Sequence, residues 1–161
     1  MIEKNPVHEI PTPEHDRLQV WLLKNWKTVA ERFQIKRAYQ LLLEEPFEER
    51  YRPTVFADAV ITTGIRDRGY YVAIFEIKPK IESVGQTIRQ IKNYATFLPH
   101  FFDQMGNEIE HSLLFLLTEH SSEFDEVFNS QGINVIRPSD FVDEIEGQKP
   151  DLEQVVLANK D

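Results

Sequence analysis

Residues 54–78, TVFADAVITTGIRDRGYYVAIFEIK, decide how this chain is read. TVFADAVITT (54–63) is rich in β-branched and aromatic residues and predicts a strand. GIRDRG (64–69) carries a glycine at each end and joins it to the next run as a hairpin. YYVAIFEIK (70–78) is almost wholly apolar, the pattern of a strand covered on both faces, and Pro79 ends its hydrogen-bonding ladder. Two features break the apolar pattern. Asp58 stands in the middle of the first strand, where an unpaired buried carboxylate would cost several kcal/mol. Glu76 and Lys78 stand near the end of the second, two residues apart and so on one face. With the hairpin centred on residues 66 and 67, Asp58 falls roughly opposite residue 75, close to Glu76 across the ladder. Two carboxylates and an ammonium on adjacent strands suggest a divalent metal site: the carboxylates hold the ion, and the lysine steadies a developing anion or helps deprotonate a water.

The flanking sequence supplies an order of elements. TPEHD starts a helix, with Thr12 as N-cap, Pro13 at the first position, and Glu14 and Asp16 at the positive end of the dipole. Leu18, Trp21, Leu22, Trp26 and Val29 follow at helical spacing to about Arg32. FQIKRAYQLLLEEPF reads as a strand over 34–44. Extension of the helix is the alternative, since LLLEE is helix-friendly. EEPFEERYRP is a charged turn region. Ser83 caps a second helix, VGQTIRQIKNYATFL, whose apolar stripe is Val84, Ile88, Ile91, Ala95 and Leu98. HSLLFLLTEH is a buried strand, SSEFDEVFNS a short helix closed by Gly132, and INVIRP a last strand. The order α-β-β-β-α-β-α-β predicts an α/β protein: a mixed sheet with helices on both faces. Residues 1–11 read as an irregular arm, 12–145 as one domain and 146–161 as a tail.

Composition sets limits. The chain has 161 residues, 41% hydrophobic and 28% charged, with no cysteine. That excludes disulfides, thiolate chemistry and a Cys-ligated zinc site, and it fits a cytoplasmic protein. The N-terminal stretch has no apolar run of the kind a signal peptide needs, and LLFLL (113–117) is too short to span a membrane. The net charge of −9 argues against non-specific nucleic-acid binding. The charge is unevenly spread: residues 24–92 hold 13 Lys or Arg against 9 Asp or Glu, and residues 93–161 hold 3 against 14. One face able to meet polyanions is compatible with this, as are two ordinary solvated surfaces. The five histidines show no metal-ligand spacing and receive no role, and Trp21 and Trp26 read as core or core-edge packing.

A strand with Asp, a turn, and Glu-x-Lys on the next strand resembles the PD-(D/E)xK nuclease superfamily. The matching residues are Asp58 and Glu76-Ile77-Lys78, with 17 residues between Asp58 and Glu76. Gln90-x-x-x-Tyr94 in the second helix resembles the Gln-x-x-x-Tyr motif of the RecB-type branch. The likeness covers residues 12 to about 120, with the C-terminal helix and strand as additions. It implies a restriction-endonuclease-like mixed-sheet core (αβββαβ) and a Mg²⁺- or Mn²⁺-dependent hydrolase, an endonuclease or other phosphodiesterase acting on DNA, with RNA also open. It further implies that Asp58, Glu76 and the backbone carbonyl of Ile77 ligate the metal, that Lys78 orients or activates water, and that Gln90 and Tyr94 sit beside the site. The family often adds an acid from the first helix, for which Glu14 is the candidate and Glu31 the alternative. Arg66 and Arg68 at the hairpin tip, with Lys80 and Arg89, are candidates for the nucleic-acid backbone. Two departures stand out: Ala57 replaces the proline before Asp58, and the family's upstream glycine-and-His motif is not evident.

A small stand-alone nuclease of a phage or mobile element fits one compact domain, and a homodimer is open. The rival reading is a nuclease-fold scaffold without catalysis that uses its acidic part for protein contacts. A DNA-mimic inhibitor is a minor third.

Overall fold

The apolar runs in 55–63 and 70–78 form β2 (Val55–Thr63) and β3 (Tyr70–Lys78), paired antiparallel with Ala59 opposite Phe75 and Thr62 opposite Val72. The computed structural model describes residues 12–35, 38–47, 51–63, 70–103 and 109–146. The predicted 64–69 connection, Arg66 and Arg68, and the predicted arm and tail through 1–11 and 147–161 lie outside them. β1 (Ala38–Phe47) pairs antiparallel with β2; β4 (Ile109–Thr118) and β5 (Ile133–Ile136) continue the sheet parallel to β3. The five strands therefore lie in chain order, β1-β2-β3-β4-β5, half antiparallel and half parallel.

Two long helices cover the sheet from opposite sides. α1 (Pro13–Arg32) is capped as its sequence predicts: the Thr12 hydroxyl accepts from the His15 N–H at 3.1 Å. Leu18, Leu22 and Val29 of α1 are buried on Ala59, Ile61, Ala73, Phe75, Ile77, Phe115 and Leu117. Phe75 stacks on Phe115 at 4.6 Å, and Phe33 meets Phe115 edge-on. α2 (Val84–Asp103), with Ser83 Oγ accepting from the Gln86 N–H, covers the other face through Ile91, Tyr94 and Phe97. Its buried stripe is rotated from the expected one: Thr87 and Tyr94, outside that stripe, are both buried, while Val84, Ile88 and Ala95 are half-buried. After β4, a 3₁₀ turn (Ser122–Phe124) and α3 (Asp125–Ser130) lead to Gly132, whose φ of +77° is the left-handed conformation expected of a helix-closing glycine. A second 3₁₀ turn (Pro138–Phe141) and α4 (Val142–Glu146), absent from the sequence reading, place Phe141 under Trp21 at 5.6 Å.

β1 also differs from its expected bounds. It starts four residues later and runs past Glu44 through Glu45, Pro46 and Phe47, which read as a turn. β1 is an edge strand, where a proline's missing N–H breaks no interior ladder. Its alternation breaks once. Leu41 and Leu43 pack on the α1 side, yet Phe47 packs on the α2 side; Glu44 between them has φ +53°. The same break occurs across the ladder in β2: Val55 and Ala57 face α2, Ala59 and Ile61 face α1. The residue at that break is Asp58.

Candidate active site

Asp58 stands one step beyond the last paired residues, Ala59 and Phe75, and therefore opposite Glu76, one residue from the position expected for it. At that step its own side chain replaces the ladder: Oδ2 accepts from the Ile77 N–H at 2.7 Å. Its other oxygen lies 3.1 Å from His15 Nε2 on the first turn of α1. Gln19, one turn further along, donates to the Asp58 carbonyl and to Glu44 Oε2, each at 3.3 Å. His15 and Gln19 are four apart and so share a helix face. Together they hold Asp58 by side chain and backbone.

Glu76 is buried, with 3% of its surface exposed. The Tyr94 hydroxyl lies 2.7 Å from its Oε1, and Lys78 Nζ lies 3.6 Å from its Oε2. The same hydroxyl lies 3.0 Å from the Phe56 carbonyl; having one proton, it donates to one acceptor at a time. Gln90 Nε2 reaches the Tyr94 oxygen at 3.5 Å. Burial, then the Glu76 and Asp58 carboxylates, push the Tyr94 phenol well above its ordinary range, so it stays a donor. The His15 imidazole is raised above its ordinary 6.5, chiefly by the hydrogen bond to Asp58; burial opposes this, and the charges of Asp58, Glu44 and Asp16 reinforce it. His15 Nδ1 is buried and has no hydrogen-bond partner among the described residues.

The strand direction sets what surrounds this group. β3 and β4 end here, and α1 and α2 both begin here, each with an N-terminus where backbone N–H groups favour anions. Between them opens a cleft of about 610 Å³. His15 and Lys78 belong both to the carboxylate network and to the cleft lining, which also includes Lys80, Thr12, Ser83 and Thr87. Thr87 Oγ1 donates to the Ser83 carbonyl at 2.8 Å.

The sequence-predicted residues divide accordingly. Asp58, Glu76, Lys78, Gln90 and Tyr94 come together, with Ile77 through its backbone. Glu14 lies exposed on the cleft rim, and the contact to Asp58 from α1 is made by its neighbour His15 instead. Glu31 borders a separate hollow with Lys24 and Lys27, about 25 Å further along the helix at 1.5 Å per residue. Lys80 lines the cleft; Arg89 is exposed on α2 outside its lining. Lys92, next along α2, donates to Gln131 at 2.9 Å. His15 has no metal-ligand spacing to another histidine, so that criterion does not single it out. A helix-face reading of His15 and Gln19, four apart at the capped end of α1, is the signal that could have found both.

A metal fits the donor set in kind. Asp58 and Glu76 offer hard carboxylate oxygens, and each sp² oxygen that accepts one internal hydrogen bond keeps a second lone pair. The N–H and C=O of a strand residue face the same neighbour, so the Ile77 carbonyl turns toward β2 as its N–H does. Among the described residues, no three His, Asp or Glu side chains converge as a metal-binding group, so a carbonyl or water would have to complete the ligand set. Also among the described residues, no helix is long and apolar enough to cross a membrane. Compared with known protein families, curated proteins and solved structures, the chain matches none.

Proposed function

We propose that this chain is a metal-dependent nuclease of the PD-(D/E)xK type, hydrolysing phosphodiester bonds of DNA. The observation that carries the reading is the meeting of Asp58, Glu76 and Lys78 at the strand ends, beside a cleft between two helix N-termini. Asp58, Glu76 and the Ile77 carbonyl hold Mg²⁺ or Mn²⁺, which when bound supplies Lewis acidity and a water of lowered pKa. The chain's own groups do the rest. His15 and Gln19 fix Asp58. Tyr94, steadied by Gln90, fixes Glu76. Lys78, 3.6 Å from Glu76 and open to the cleft, orients the attacking water and steadies the charge that develops on the phosphate. Lys80, the Ser83 and Thr12 hydroxyls and the helix N-termini receive the substrate's phosphates.

One observation favours a second reading. All four oxygens of Asp58 and Glu76 already have protein partners, so the network is also complete as a structural one. With a net charge of −9, that suits a nuclease-fold scaffold without catalysis. Cleavage of labelled single-stranded, double-stranded and branched DNA, and of RNA, with Mg²⁺ or Mn²⁺ decides between them. The nuclease reading expects metal-dependent cleavage that Lys78→Ala and Glu76→Ala abolish. No cleavage of any substrate, together with no Mn²⁺ binding by calorimetry, would leave the scaffold.

A further inference from the structure

Half of the residues lining the cleft come from one short segment, 78–83, which links β3 to α2. Its backbone bonds show what holds it. The Pro79 carbonyl accepts from the Glu119 N–H at 3.2 Å, with Thr118 Oγ1 at 3.4 Å. The Ser83 carbonyl accepts from Thr87 inside α2. Between these anchors the N–H of buried Ile81 has a side-chain acceptor, His120 Nδ1, at 3.3 Å.

His120 is itself fixed. An Nδ1 that accepts leaves the ring proton on Nε2, which lies 2.9 Å from Glu123 Oε1. The ring stacks on Phe124 at 5.5 Å. Its backbone N–H donates to Thr118 Oγ1, and its carbonyl accepts from Arg137 Nε at 2.7 Å. Arg137 is in turn held by both oxygens of Asp125. The bonds to Thr118 and Arg137 fix the His120 main chain, and swinging the imidazole away would break its contacts with Ile81, Glu123 and Phe124.

We propose that His120 is a positioning residue: its Nδ1 holds the Lys78–Ser83 wall so that Lys80 and the start of α2 can receive a phosphate. The inference rests on the reading that the cleft takes a phosphodiester. A leucine at 120 keeps the bulk but leaves a buried N–H without an acceptor. An asparagine keeps the acceptor, because its Oδ1 occupies nearly the place of Nδ1. Glu123 is mostly exposed, so its loss from the ring matters little.

The test titrates inorganic phosphate into the full chain, follows the backbone amides of residues 80–86 by NMR, and measures DNA cleavage separately. Wild type, His120→Asn and Glu123→Ala shift the same amides at similar phosphate concentrations. His120→Leu needs roughly ten-fold more phosphate, the factor that about 1.4 kcal/mol gives. Its β3 and β4 amides stay in place, which separates the effect from unfolding. Hydrogen exchange at Ile81 is the second measure: protected in wild type and His120→Asn, lost in His120→Leu. The proposal is overturned if His120→Leu binds like wild type, if the Asn variant loses affinity or Ile81 protection as the Leu variant does, or if phosphate shifts nothing at 80–86. Phosphate binding without cleavage of any nucleic acid sinks the nuclease reading alone and leaves the role of His120 to the binding result.

Discussion

Glu76 is the one charged side chain that is buried among the described residues, and its oxygens are shared between a phenol and an ammonium. Tyr94→Phe removes the phenol and leaves Oε1 without that donor. Urea unfolding of this variant is expected to show a loss of about 1–3 kcal/mol, the usual cost of stranding a buried polar group. His15 makes a pH-dependent contribution. Its folded pKa is raised above 6.5, so the stability it adds is fully present below pH 6.5 and is lost as pH rises through the raised value. In metal-free protein the imidazole resonances should titrate above 6.5, and Asp58→Asn should bring them back toward it. A titration unchanged by Asp58→Asn would break the assignment. At this scale Asp58, Glu76 and Lys78 were legible because charged residues in apolar strands are conspicuous. His15 was not: its partner lies 43 residues away, and only the docking of α1 on β2 brings them together.

At the scale of elements, the strands and helices were legible in kind and order, because period 2 and period 3.6 are written in the side chains. Where β1 ends was not. LLLEE is locally helix-friendly and EEP reads as a turn, and pairing with β2 carries the strand through them to Phe47 opposite Val55. The cost shows at Glu44, a non-glycine residue at φ +53° inside a strand. Glu44→Gly is expected to leave stability level or raise it by up to about 1 kcal/mol, and Glu44→Val to lower it by about 1–2 kcal/mol. Gly132→Ala meets no steric obstacle, since nothing lies within 4 Å of an added Cβ. The strain at φ +77° alone should therefore cost about 1–2 kcal/mol, measured as a shift in the urea midpoint. α4 and the turn before it are too short to show a period in the sequence. Their hold comes from Phe141 against Trp21 and the Arg32 guanidinium, 4.1 Å over the Phe141 ring.

At the scale of the whole molecule, a net charge of −9 opposes a polyanion, and the cleft sets Lys78 and Lys80 against that. If substrate phosphates meet only Lys78 and Lys80 there, single-stranded DNA binding should weaken with salt on a shallow slope, about −1 to −2 in log K against log[KCl]. Anisotropy titrations at several salt concentrations check this, and a slope near −6 would mean a broad basic surface elsewhere. The arrangement of the site along the chain also bears on how the protein folds. Asp58, Glu76 and Lys78 all belong to the adjacent pair β2 and β3, whereas His15 arrives from 43 residues upstream and His120 meets Ile81 from 39 residues downstream. Short loops close before long ones, so the acids should meet before their restraints arrive. Stopped-flow kinetics should then show His15→Asn and His120→Leu mainly speeding unfolding, with refolding rates little changed, while Val60→Ala in β2 slows refolding. The transition state would already have brought the carboxylates together, and the native state would add what holds them.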